Sequence, residues 1–186
     1  MACEFNRTRP ATVGCGGGIA GLDNLKLRLI SRANITFGAV SATTGVASTF
    51  TVAVGKQLYP FVFEARQHDI TSTGSLSETG AFTYLQAMTG RFPNLSGKSR
   101  ADAASLAGTE LVAILKTREG KYLVYGYTAG LTLTGDVSGA SAAALGHTIT
   151  IGNTEDNPES ANYFELLSTD EAATEALLLA AEEPAE

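Results

Sequence analysis

Leu111-Val112-Ala113-Ile114-Leu115-Lys116-Thr117 and Tyr122-Leu123-Val124-Tyr125-Gly126-Tyr127 are joined by Arg118-Glu119-Gly120-Lys121. Two runs rich in β-formers, separated by a short polar link with a glycine, predict a β-hairpin. Upstream of it, Leu25, Leu27 and Leu29 alternate with Lys26 and Arg28, the pattern of a half-buried strand. Val46, Phe50, Val52 and Val54 share one parity, and Gly38 to Gly45 supplies the turn before them. Leu58 to Glu64 is an aromatic strand with Tyr59, Phe61 and Phe63 on one face. Its Pro60 implies an unpaired or bulged edge. Gln67 to Gly80 is polar and predicts a long loop or an extended hairpin tip, and Ala81 to Met88 returns as a strand carrying Phe82 and Tyr84. Downstream, Leu131 to Thr134 is a short strand, and Gly135 to Gly146 is a small-residue loop. His147 to Ile151 is a strand, Asn153 to Ser160 a turn-rich loop, and Tyr163 to Leu167 the last strand. The aromatics Tyr59, Phe61, Phe63, Phe82 and Tyr84 alternate as sheet-core residues do.

Two helices complete the expectation. Ser99 to Gly108 is alanine-rich, begins with Ser99 and Asp102 in a capping-box spacing and stops at a glycine. After Ser168 the chain is acidic and rich in Ala and Leu, with Ser168 and Glu171 as a capping box and Pro184 as the stop. A helix that short is marginal alone, so it docks by its leucines or frays. The fold class is therefore mainly β (α+β): a β-sandwich or partly open barrel with one flanking helix, plus a C-terminal acidic helix. Residues 1–21 read as an N-terminal arm, 22–167 as the β-sandwich domain and 168–186 as an acidic helical tail.

Charge follows the same division. All 13 Lys and Arg precede Ser168, while Asp170, Glu171, Glu175, Glu182, Glu183 and Glu186 follow it unaccompanied by a base. The tail thus supplies the whole formal net charge of -6 of a neutral body. Only 17% of residues are charged, below the usual share of about 25%, which favours a surface largely covered by neighbours. The start of the chain lacks the apolar core of a signal peptide, and no apolar run is long enough to span a membrane. Cys3 and Cys15 read as free thiols.

Catalytic patterns are sparse. His68 beside Asp69 falls short of the three or four ligands of a metal site. Glu155, Asp156 and Glu159 lack the spacing of a calcium loop and read as a charged turn. Gly16-x-Gly18-x-x-Gly21 has the letters of a dinucleotide fingerprint, but no strand precedes it and no acid lies between Asp23 and Glu64. No phosphate loop or nucleophile elbow occurs. The bases are too scattered for a nucleic-acid patch. The expectation is a protein with no cofactor, no metal and no enzymatic activity, which works by packing against copies of itself.

Several stretches taken together resemble bacteriophage virion proteins of the tail-tube type. They are the Met1-Ala2-Cys3 start with Gly14 to Gly18, and Tyr59-Pro60-Phe61-Val62-Phe63-Glu64. Ser75-Leu76-Ser77-Glu78-Thr79 and Leu111 to Leu115 follow. The series closes with Gly120 to Gly126, Gly130 to Gly135 and Gly146 to Ile151. The resemblance spans most of residues 1–167 and does not extend to the tail. It implies a β-sandwich whose hexameric rings stack into a hollow tube in the virion. The tube is filled by a tape-measure protein and later passed by DNA that it does not bind specifically. Such a subunit is made in the host bacterial cytoplasm. On this reading the arm (Cys3, Phe5, Gly16, Gly17, Gly18) and the 67–80 segment (His68, Asp69, Ile70, Ser75, Leu76, Glu78) carry self-association. A capsid-decorating or head-to-tail joining protein and a ligand-binding β-barrel are the alternatives.

Overall fold

The computed structural model describes residues 22–62, 68–76, 80–92, 101, 104–140 and 145–183. Its strands run β1 Leu22–Ser31, β2 Ile35–Phe37, β3 Val46–Ala47, β4 Phe50–Val52, β5 Tyr59–Val62, β6 His68–Leu76, β7 Phe82–Phe92, β8 Leu111–Thr117, β9 Tyr122–Tyr125, β10 Thr132–Ala140, β11 Leu145–Gly152 and β12 Phe164–Leu166. A tail helix, Glu171–Ala180, follows. The fold is mainly β. Among the described residues no sheet closes into a barrel, and no helix is long and apolar enough to cross a membrane.

The β8–β9 hairpin lies inside a six-stranded sheet of order β3-β12-β9-β8-β1-β5. Leu111 to Leu115 are all buried, odd and even positions alike. A strand covered on both faces needs an apolar residue at every position rather than at alternate ones. On one face Leu111, Ala113 and Leu115 join Leu27 and Leu29 of β1 against Met88, Ile149 and Ile151 of a second sheet, order β10-β11-β7-β6. On the other face Val112 and Ile114 join Ile30, Tyr122 and Val124. That face is covered by Ile35 from the two-stranded β2–β4 sheet and by Leu178 from the tail helix. Full burial of each such aliphatic side chain contributes about 1.5–3 kcal/mol. The result is a sandwich with a third, partial layer of two-stranded sheet and helix.

Three sequence expectations need correction, and a fourth is decided between its two alternatives. Gly135 to Gly146 is not a loop as a whole: Gly135 to Ala140 continue β10, paired antiparallel with β11 from Gly135↔Thr150 to Ala140↔Leu145. Small residues have weak strand preference of their own, and the ladder offered by β11 overrides it. A register shift between Leu133 and Gly135 marks an irregularity in the strand. The polar segment after Gln67 is β6, paired with β7 from His68↔Gly90 to Leu76↔Phe82, so the hairpin alternative describes it. Tyr59 and Phe82, expected in the core, are 52% and 53% exposed. The tail helix is capped by Asp170, whose Oδ1 accepts the Ala173 N–H at 2.7 Å, and not by Ser168. Ser168 instead donates its N–H to Thr174 Oγ1.

Pro60 occupies β5, the last strand of the six-stranded sheet, where a missing N–H breaks no ladder between two neighbours. Residues 101 and 104–106 are helical, and Gly108, at φ +73°, follows where a left-handed residue ends a helix. Phe63, Ser99 and Pro184 lie outside the described residues.

Candidate self-association surfaces and the anchored tail

The four-stranded sheet ends in β10 on one side and β6 on the other. Each is nine residues long and free of proline. Among the described residues no strand pairs with the outer side of either. A row of unsatisfied N–H and C=O groups of that length is a template for another strand. β5 differs, because Pro60 blunts it, and β3 has only two residues.

Of the expected contact residues, the structure brings His68, Asp69, Ile70, Ser75 and Leu76 onto this one edge strand, β6. Ile70 turns inward, packed against the core opposite Met88, so it supports the strand and is not offered to a neighbour. Asp69, Thr71, Thr73 and Ser75 share the opposite parity and are exposed. Leu76 is 68% exposed at the hairpin end, beside Phe82 in register. The Phe82 and Tyr84 rings meet edge to face at 5.2 Å. A Cβ on Gly74 would collide with the Phe82 ring, so the glycine makes room for this apolar tip. Cys3, Phe5, Gly16, Gly17, Gly18 and Glu78 lie outside the described residues.

The outer parity of the four-stranded sheet is dominated by hydroxyls. Thr71, Thr73, Thr83, Thr89, Thr148 and Thr150 occupy it, with Thr89 Oγ1 3.3 Å from Thr150 Oγ1. Asp69 and Arg91 are the charged residues of that parity on β6, β7 and β11.

The acidic tail is anchored through charge that sequence reading placed in solvent. Arg28, between Leu27 and Leu29 on β1, is 1% exposed. Its Nη2 meets Glu175 Oε1 at 2.6 Å, and its Nε meets Glu182 Oε1 at 2.7 Å. Tyr122 donates its hydroxyl to Glu175 Oε2, and Lys116 Nζ lies 3.7 Å from the same oxygen. The C-terminal end is held as well: Leu58 donates its N–H to the Ala181 carbonyl at 2.7 Å. Burial alone would raise the Glu175 pKa. The hydrogen bonds from Tyr122 and Arg28, with the charges of Arg28 and Lys116, outweigh it and hold the carboxyl below its ordinary range. A lowered pKa gives stability that is present above the ordinary carboxylate range and is lost as pH falls through the folded value. Hydrogen exchange measured from pH 7 to pH 3 should therefore show the amides of Thr174 to Leu178 losing protection at the acid end before those of β8. Equal protection of the two segments at every pH would refute the anchoring role.

A fully buried carboxylate organises the turn between β9 and β10. Glu159 is fully buried and accepts the backbone N–H groups of Thr128, Ala129 and Gly130 at 2.9–3.2 Å. Its own backbone exchanges two hydrogen bonds with Tyr84. Asn153 completes the junction, accepting from Gln86 N–H and donating to the Gly130 carbonyl. Gly126 sits at φ +70° where a Cβ would strike the Leu111 carbonyl, so the turn requires glycine.

His147 is buried with Nε2 2.6 Å from Asp136 Oδ1, a pair of one imidazole and one carboxylate. No group of three or more His, Cys, Asp or Glu able to hold a metal occurs among the described residues. A half-open cleft of about 360 Å³ is lined by Leu29, Tyr59, Phe61, Leu106 and Leu111, with the exposed Lys56 among its walls. A more polar one of about 480 Å³ borders Glu119, Lys121, Asn162 and Glu165. Arg28 and Glu159 were missed as structural centres because strand alternation marks Arg28 as solvent-facing, and acid spacing marks Glu159 as part of a charged turn. No known family model, curated protein or solved structure matches this chain.

Proposed function

We propose that this chain is a virion structural protein of the bacteriophage tail-tube type, acting by assembly and not by catalysis. The observation that carries the reading is the four-stranded sheet with a long open strand at each end. All three of its internal pairings are antiparallel. With four alternating strands, β6 and β10 run in opposite directions. A second copy turned about a ring axis, in the same axial orientation, brings its β10 antiparallel to the first copy's β6. The contact is heterologous, and where its rotation closes it makes a ring that leaves no edge.

Six such copies, the number the family resemblance implies, would give a wall about 115 Å round and about 37 Å across at the backbone for untilted strands at ~4.8 Å spacing. Strand tilt widens it further. The hydroxyl-lined face then borders the bore. Neutral hydroxyls release no counterions from DNA and so do not retain it, which suits passage without specific binding. On this reading the arm and the exposed Leu76–Phe82 tip would contact neighbouring rings, and a tape-measure protein would occupy the bore before the genome. The protein belongs, on this reading, in the virion.

The test combines imaging with cross-linking. Purified protein is expected to form rings or tubes by negative stain and light scattering. With Cys3 and Cys15 changed to Ser, Thr71→Cys, Thr73→Cys or Ser75→Cys is paired with Val137→Cys. Within one copy β6 and β10 are three strand spacings apart, roughly 14 Å, beyond disulfide reach. A ladder of cross-linked species ending at the ring size is therefore expected in at least one register. A protein that is monomeric at all concentrations overturns the reading. Rings that cross-link in no register overturn the seam, and particles found only on capsids favour the decorating alternative.

A further inference from the structure

The tail helix is inside out. Two of its three polar residues face the protein: Thr174 is buried against Asp170 and Ser168, and Glu175 reaches Arg28, as does Glu182 just beyond the helix. Most of its apolar residues face outward: Ala172, Ala176 and Ala180 are exposed, and Leu177 and Leu179 are each 46% exposed. Only Leu178 of the three consecutive leucines is buried. A surface helix normally turns its apolar stripe to the core and its charges to water. Here the buried ionic contacts select the opposite rotation. Ion contacts of this kind set orientation more readily than they add stability. The rotation they enforce leaves an alanine and leucine face bounded by Glu171 and Glu183.

We infer that this face docks into the apolar cleft of a second copy of the chain, the cleft walled by Leu29, Tyr59, Phe61, Leu106 and Leu111. Both halves of the contact are then present on every subunit. The cleft's volume of about 360 Å³ accommodates leucine side chains. Its Lys56 is exposed and meets a helix whose two ends are acidic, so the charges are complementary. Pairing the helix face with another helix face would instead oppose Glu171 and Glu183 to each other or to themselves, with no Lys or Arg in the sequence after Lys121 to relieve them. The helix does not fill its own cleft, because Arg28 and Leu178 hold its other side on the sheet. The contact joins unlike surfaces and is separate from the strand seam. It adds a second link between copies and does not depend on the tube reading.

The experiment compares full-length protein with Leu177→Ser/Leu179→Ser, with Lys56→Glu, and with Lys56→Glu combined with Glu171→Lys or Glu183→Lys. Sedimentation velocity and negative stain are the readouts. All these positions are exposed, so circular dichroism should show the fold unchanged. The leucine variant and Lys56→Glu are each expected to weaken this association at least tenfold while the β6–β10 cross-linked ladder persists, and one charge swap is expected to restore it. Rings present with stacking unchanged in every variant overturn the inference and leave the ring proposal standing. Small oligomers without rings that dissolve in the variants support the inference and count against the ring. A wild-type protein that never associates overturns both.

Discussion

Changing Glu175 and Glu182 together to Gln is expected to cost about 3–5 kcal/mol of folding free energy, the range for stranding one member of a buried ion cluster. The magnitude follows from where the charges sit. Arg28 is 1% exposed on β1, whereas the side chains of Glu175 and Glu182 are 30% and 14% exposed. If the acids are neutralised, the guanidinium keeps its charge and must either stay unpaired beneath the helix or expel the helix to reach water. If Arg28 is replaced by Met, the two acids can swing outward, and Glu175 keeps Lys116 and the Tyr122 hydroxyl. Arg28→Met should therefore cost less, on the order of 2 kcal/mol, because a partly solvated carboxylate recovers water. The triple change Arg28→Met/Glu175→Leu/Glu182→Leu removes every buried charge of the cluster. It should return to within about 1 kcal/mol of wild type, since apolar replacement of a whole ion cluster is often neutral. Urea midpoints at constant slope, taken at concentrations where the chain is dispersed, measure all three. A triple variant as unstable as the sum of its parts would show that packing, not charge, holds the tail.

That cluster also shows what sequence could and could not display. The β8–β9 hairpin was legible because both strands are made of strong β-formers with a turn between them. The tail helix was legible from its composition, and the edge position of β5 from Pro60. The partner of Arg28 was not. It lies 147 and 154 positions away in the chain, and local alternation with leucine gives the same pattern whether the opposite face meets water or carboxylates. β10 was hidden for a different reason: Gly135, Ser138, Gly139 and Ala140 carry no strand signal, and only the β11 ladder orders them. Within the candidate surface, His68, Asp69, Ile70, Ser75 and Leu76 fall on one strand. That their backbone forms the open edge of a sheet, and that Ile70 turns inward, depends on pairing with β7, which no local pattern encodes.

Glu159→Ala is expected to be the most damaging single change outside the tail, at roughly 3–5 kcal/mol. Three backbone donors, on Thr128, Ala129 and Gly130, lose their acceptor in a buried turn. Each unsatisfied buried group costs about 1–3 kcal/mol, and part is recovered as the turn opens to water. Glu159→Gln keeps one carbonyl oxygen for the donors but brings an NH₂ group toward N–H groups, so it should fall between alanine and wild type. The consequence reaches β10. The turn leads directly into Leu131, whose N–H and carbonyl bridge Leu111, and then into the strand that forms one open edge. Loosening the turn frees the start of that edge. Glu159→Gln should accordingly lower β6–β10 cross-linking at temperatures where far-ultraviolet circular dichroism still reports a folded sheet. Urea melts of both variants, paired with the cross-linking yield, give the comparison. Losses within 0.5 kcal/mol for alanine, about the scatter of ordinary surface substitutions, would mean that the three amides find other acceptors and that the carboxylate does not define the turn.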